Sequence, residues 1–154
     1  MEGSLVEFFA SFLIWFLFIG LITLWFIDGK IKREQVIHAL MSCLLAWAMV
    51  VTIKYFFPTT RPFMTNGKEV DVIIAPFDGA FPSWHATVAF ALSVTIFMHD
   101  RKVGWWFLIS AVAIGVARVV ANVHYPIDIL GGALIGTLVA VIVEKMHLSK
   151  LLTK

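Results

Sequence analysis

A single cysteine, Cys43, occurs in the 154 residues, so no intrachain disulfide can staple the fold and thiols say nothing about redox compartment. It lies inside an apolar run and is expected as a small buried core residue. Charge is equally scarce: Asp, Glu, Lys and Arg make up 14% of the chain against 60% hydrophobic residues, and mean hydropathy is +0.92. That balance excludes a soluble globular domain, the net charge of +2 says little in a membrane protein, and no nucleic-acid partner is expected. The chain also lacks the basic start of a secretory signal, carrying Glu2 and Glu7 there and no clear small-residue cleavage site. Its first apolar run is therefore expected to be a retained helix. Internal repeats, low-complexity stretches and linkers are missing too, which predicts one domain over residues 1–154.

What remains is apolar run after apolar run. Five are long enough to be candidate spans: Leu5 to Ile27, Val36 to Phe57, Ser83 to Met98, Val103 to Ala121 and Ile127 to Val143. The fold class expected is all-α, a polytopic transmembrane bundle of about five spanning helices. Lys30, Lys32, Arg33, Arg101, Lys102, Lys145, Lys150 and Lys154 fall on one side of such a bundle, and Lys54, Arg61, Lys68 and Arg118 on the other. The excess of cations marks the cytoplasmic side, so the N-terminus is expected outside and the C-terminus inside, in a plasma or inner membrane. His38, His99 and His147 lie on the cation-rich side and are expected as exposed interfacial histidines without chemistry. The connection from Pro58 to Pro82 is long for a bundle, with turn signals at Asn66-Gly67 and Asp78-Gly79. Its apolar Val70 to Phe77 stretch suits either the membrane interface or a cap over the helices. Gly132 and Gly136 have the small-xxx-small spacing that lets a neighbouring helix approach within the molecule.

The opposite, extracytoplasmic side collects Lys54, Arg61, Ser83, His85, Arg118, His124 and Asp128. Ionisable groups at the ends of spanning segments cost free energy unless paired or hydrated, so such a cluster points to a functional site. Asp128 follows His124 by four residues, with Pro126 at the first turn of the next helix, and can orient the imidazole. Three cations, Lys54, Arg61 and Arg118, meet only one obvious carboxylate, Asp128, and the surplus wants an anion. Arginine forks and a lysine point charge suit phosphate oxygens. Pro82-Ser83-Trp84-His85 opens the third helix, where free N–H groups and the Ser83 hydroxyl suit the same guest. His124 would attack phosphorus, and His85 would protonate the leaving oxygen and then activate water. No cofactor is needed and no metal is expected there, because the cations both neutralise the equatorial oxygens and repel a divalent ion.

Lys54-x6-Arg61-Pro62, Pro82-Ser83-Trp84-His85 and Arg118-x5-His124-x3-Asp128 resemble the three signature motifs of the type 2 phosphatidic acid phosphatase superfamily, the lipid phosphate phosphatases. The resemblance organises residues 54–128. It implies that His124 is the nucleophile, His85 the general acid and Asp128 the brace, with Lys54, Arg61, Ser83, Trp84 and Arg118 binding phosphate. Trp84 stands where the family usually has Gly and keeps its backbone N–H, so its indole is expected to shape lipid selectivity. Ala117 stands where the family usually has Ser, which is expected to tune activity. The family's membrane members commonly have six helices, and the first of these is the one expected to be missing here. The function implied is metal-independent hydrolysis of a membrane lipid phosphate, with undecaprenyl diphosphate the leading substrate. Phosphatidylglycerophosphate, phosphatidic acid and transfer to a lipid A type acceptor are the alternatives. Oligomeric state is left open.

Overall fold

The computed structural model describes residues 2–27, 29–74 and 76–146, with side chains from Leu5 and, after residue 27, from Arg33. His147, Lys150 and Lys154 lie outside the described residues, as do the side chains of Lys30 and Lys32. The first apolar run forms α1 (Glu2–Glu7), a π-helical turn (Phe8–Phe12) and α2 (Leu13–Ile27). Then come α3 (Gly29–Phe56), the short α4 (Pro62–Asn66), α5 (Trp84–His99), α6 (Arg101–Val120) and α7 (Pro126–Lys145). No strand occurs among the described residues. Leu5–Ile27, Arg33–Phe56, Arg101–Val120 and Pro126–Lys145 are long and apolar enough to cross a membrane, while α5 is a shorter apolar helix of 16 residues.

The shortness of α5 follows from its position. It packs against α3, α6 and α7 at once, and Ala86, Ala89, Ala91 and Leu92 are essentially inaccessible. A helix wrapped in protein need not match the hydrocarbon thickness. Around it the pattern of a soluble protein is inverted: Trp15, Phe26, Leu44, Trp106 and Leu134 are more than half exposed on the outer faces. In lipid such residues gain nothing by turning inward, so association rests on close packing through small side chains. Gly132 and Gly136 show how. A Cβ on Gly132 would lie 2.9 Å from the Ser83 carbonyl, and one on Gly136 would lie 2.9 Å from the Ala91 nitrogen. The glycine pair thus serves contact between α7 and α5.

The helix ends are sharply marked. Asp100 closes α5 and opens α6, its side chain accepting from the Val103 N–H at 3.1 Å. Gly67 ends α4 with a φ of 66°, the left-handed cap that glycine favours. Asn122 holds a φ of 60° between α6 and α7, and its side chain pairs with Asn66 and donates to the Lys68 and Glu69 carbonyls. Asparagine is among the few residues that tolerate this conformation. Helix α3 begins well before the predicted Val36, because its first turns are polar and an apolar count cannot see them.

The long connection divides between its two expected roles. Val70 and Val72 pack on Ala10, Ala117, Ala121 and Val123 as a cap, whereas Ile73, Ile74 and Phe77 are 55%, 78% and 87% exposed, as an interfacial segment would be. His38 corrects an expectation. It is buried, not exposed, because α3, α5 and α7 converge there and Glu144 meets its ring.

Candidate active site

At the end of the bundle where α3 and α6 finish and α5 and α7 begin, the polar residues singled out from the sequence come together. Pro62 at the first position of α4 forces Arg61 into extended backbone, with φ −90° and ψ 154°. This turns its side chain inward, where it is wholly buried. Nε donates to the Asp78 carbonyl at 2.8 Å, and one terminal nitrogen donates to Asp78 Oδ1 at 2.6 Å and the Gly79 carbonyl at 3.2 Å. The other donates to the Val123 carbonyl at 2.9 Å and stands 3.3 Å from His124 Nε2. A guanidinium has only protons to offer, so in this last contact Nε2 must be the acceptor. That assigns the tautomer: the lone pair is on Nε2 and the proton on Nδ1, which faces Asp128 Oδ2 at 3.4 Å.

Asp128 is placed by α7. As the third residue of the helix it forms a capping box with Tyr125, whose N–H donates to the same Oδ2 at 2.8 Å. Its carbonyl accepts the Ser83 N–H at 3.1 Å, which ties the start of α5 to the start of α7. Ser83 is buried and caps α5 without using its hydroxyl. His85, the second residue of α5, lies against the Trp84 indole with ring centroids 3.8 Å apart and feels the charges of Arg118, Lys54 and Arg61. Arg118 is held from below by the Ala10 carbonyl at 3.2 Å. That carbonyl belongs to the π-helical turn, a feature that tends to occur at functional sites.

Three buried polar atoms here, Ser83 Oγ, His85 Nδ1 and Arg118 Nε, have no hydrogen-bond partner among the described residues. An unmet buried polar group costs about 1–3 kcal/mol. Donors left unmet in one place are what an anion would satisfy.

The expectation that Asp128 is the one carboxylate near these cations is corrected by Asp78. Its two oxygens bridge Lys54 Nζ at 2.5 Å and Arg61 at 2.6 Å. Burial pushes its carboxyl up, but the hydrogen bonds and charges of Lys54 and Arg61 outweigh this and hold it below the ordinary value of 3.8. In the sequence Asp78 shows only as the first residue of an Asp-Gly turn. With Asp78 in place, Arg118 is the cation of the three that meets no carboxylate among the described residues. Beside the bridge a groove of about 270 Å³, lined by Trp47, Val50, Val51, Lys54, Asp78 and Trp84, runs toward the lipid-facing side. Larger furrows, such as that between Leu45, Met49 and Ile142, carry no ionisable side chain.

Burial pushes the His124 imidazole down to about 4, against the opposing hydrogen bond to Asp128 and with help from the Arg61 and Arg118 charges. It is therefore neutral at physiological pH. As pH falls, an unfolded His124 takes up a proton near 6.5 while the folded one resists until about 4. Its contribution is complete above that window and lost within it, by at most about 3 kcal/mol. The melting temperature in detergent is expected to drop by several degrees between pH 7 and pH 4.5, and less in His124→Gln. An equal drop in that variant would show that other groups carry the acid sensitivity.

Residues 35–151 match the PAP2 superfamily. Bacitracin transport permease protein BcrC of Bacillus licheniformis is 32% identical over 143 residues, covering 93% of this chain and 70% of that protein. Undecaprenyl-diphosphatase BcrC of Bacillus subtilis is 29% identical over 121 residues, covering 77% of this chain but only 61% of the relative. Among solved structures, LpxE of Aquifex aeolicus superposes with a TM-score of 0.75 at 25% identity, over 94% of this chain and 84% of that one. The family match runs through every motif residue from Lys54 to Asp128, and the same helical arrangement recurs in a solved relative: the chain belongs to the PAP2 superfamily.

Proposed function

We propose that this multi-pass membrane protein is a lipid phosphatase that removes a terminal phosphate through a phosphohistidine, with undecaprenyl diphosphate as its substrate. One observation carries the reading more than any other. His124 holds its lone pair on Nε2, at the edge of a buried cluster whose Ser83, His85 and Arg118 donors have no partner. A phosphoryl group entering there takes the place that Arg61 occupies at Nε2 and draws Lys54 and Arg61 onto its oxygens. Nε2 attacks phosphorus, the bond to the lipid-side oxygen breaks, and a proton from His85 goes to that oxygen. Water then gives its proton to His85 and attacks phosphorus, the P–N bond breaks, and inorganic phosphate leaves with His124 restored. The cations stabilise the equatorial oxygens throughout.

Residues 1–154 act in this reading as one phosphatase domain, with its catalytic motifs in 54–128. The distribution of Lys and Arg supports a site on the extracytoplasmic face, with the N-terminus outside and the C-terminus in the cytoplasm. The substrate assignment draws on the likeness to an undecaprenyl-diphosphatase and on the apolar groove ending at Lys54, which suits the first units of a polyprenyl chain and grips little beyond phosphate. Trp84 is then both a wall of that groove and a neighbour of His85.

The test is phosphate release by the purified protein from undecaprenyl diphosphate, phosphatidylglycerophosphate and phosphatidic acid. The polyprenyl substrate is expected to lead in kcat/KM by about tenfold or more. Preference for another lipid overturns the substrate, a phosphorylated acceptor in place of free phosphate overturns hydrolysis, and inertness toward all three overturns the phosphatase.

A further inference from the structure

Outside the phosphate cluster, the buried side-chain polar atoms without partners are His38 Nε2, His99 Nε2 and Ser93 Oγ, among the described residues. Two of these three belong to one constellation at the far end of the bundle. His38 on α3, His99 ending α5 and Glu144 near the end of α7 bring Nδ1, Nε2 and a carboxylate oxygen within 4.8 Å of one another. Glu144 Oε2 is 3.1 Å from His38 Nδ1 and 2.9 Å from His99 Nε2. We propose that His38, His99 and Glu144 form a three-ligand site, with water able to fill the fourth position, for a divalent first-row transition metal, zinc by its donors, that clamps α3 to the ends of α5 and α7.

Hydrogen bonding alone does not account for the trio. Glu144 Oε2 lies close to His99 Nε2 but off the direction in which that nitrogen would donate, so Nε2 makes no hydrogen bond. His38 Nδ1 donates to Glu144 in this structure, but Nε2 has no partner, so on metal binding the proton can sit on Nε2 and leave the Nδ1 lone pair to the metal. Glu144 meets both imidazoles and no Lys or Arg among the described residues. Its charge is thus available to a cation, unlike that of Asp78 at the other end. Two imidazole nitrogens and one carboxylate are a zinc donor set, and bonds of about 2.0–2.2 Å need Glu144–imidazole separations only a few tenths of an ångström wider than the two present. The site is remote from phosphate chemistry, because the fourteen helical steps from His85 to His99 span roughly 21 Å along α5. It is nonetheless built on the same three helices that present Lys54, His85 and Asp128. Pinning their far ends holds their near ends in register.

The probe is Zn(II) added to the chelator-treated, full-length protein in detergent, with Co(II) as a spectroscopic substitute. One equivalent of Zn(II) is expected to bind and raise the melting temperature, and Co(II) to give visible d–d bands. His99→Ala and Glu144→Gln should each lower Zn(II) affinity at least about tenfold and remove the thermal shift. Because His99 is partly exposed, its variant should keep a cooperative melt without metal, which separates loss of a ligand from loss of fold. Failure of the wild-type protein to take up a stoichiometric metal, or equal uptake by both variants, overturns the site and leaves a His38–Glu144 hydrogen bond with His99 beside it.

Discussion

His124→Ala should lower phosphate release by about 10⁴-fold or more, to the level that binding and electrostatics alone can sustain. The expectation rests on the arrangement around Nε2. Burial keeps the imidazole neutral, Asp128 accepts a hydrogen bond from Nδ1–H, and a guanidinium that can only donate marks Nε2 as the nucleophilic nitrogen. Removing the ring deletes the atom that would bond to phosphorus, and no rearrangement of Lys54, Arg61 or Arg118 replaces it. Phosphate binding, by contrast, should survive, because the cations and the Ser83 hydroxyl are untouched. The informative measurement is single-turnover release alongside phosphate or vanadate affinity. Activity within a hundredfold of wild type would move the nucleophile elsewhere, with His85 next to be considered, whereas loss of anion binding together with activity would indicate a collapsed site. His124→Asn, closer in polarity for a residue only 1% exposed, controls for the cavity that alanine leaves.

Much of this site was legible in the sequence because membranes punish idle charge. Lys54, Arg61, Ser83, His85, Arg118, His124 and Asp128 stood out as polar residues at the ends of apolar runs, and apolar runs are nearly the whole fold of such a chain. What escaped the reading has a common physical character. Asp78 sits in a loop, where a carboxylate costs nothing in water, so nothing local distinguishes the partner of Lys54 and Arg61 from an ordinary Asp-Gly turn. The Ala10 carbonyl that holds Arg118 is backbone, and backbone has no letter. His38 and Glu144 are 106 positions apart, and each by itself is the kind of residue that helix ends at an interface carry. Composition identifies groups that are expensive where they stand. It is silent about groups made expensive only by what folds against them.

Asp128 offers the sharper experiment, because its two functions can be separated. Both of its hydrogen bonds, from the Tyr125 N–H and from His124 Nδ1, converge on the single oxygen Oδ2. Asp128→Ala should cost about 10³- to 10⁴-fold in kcat, comparable with losing the orienting carboxylate of a hydrolase triad. It also uncaps α7 and should lower the melting temperature, since an N-cap interaction is worth about 1 kcal/mol. Asp128→Asn is a different case. An asparagine that places its carbonyl oxygen where Oδ2 stands keeps both hydrogen bonds, and Oδ1 accepts none among the described residues, so the amide nitrogen disturbs no existing bond. The tautomer is then preserved and only the negative charge is lost. A charge-assisted bond exceeds a neutral one by about 1–2 kcal/mol, so the asparagine variant should retain a few per cent of activity. The deficit should fall on kcat, because the charge is needed when the ring of His124 becomes cationic on forming its bond to phosphorus, while KM stays near the wild-type value. An asparagine as damaging as alanine would mean that the amide flips, offers its N–H₂ to His124 and forces the proton onto Nε2. In that event the geometry of one oxygen, more than the charge it carries, is what Asp128 contributes.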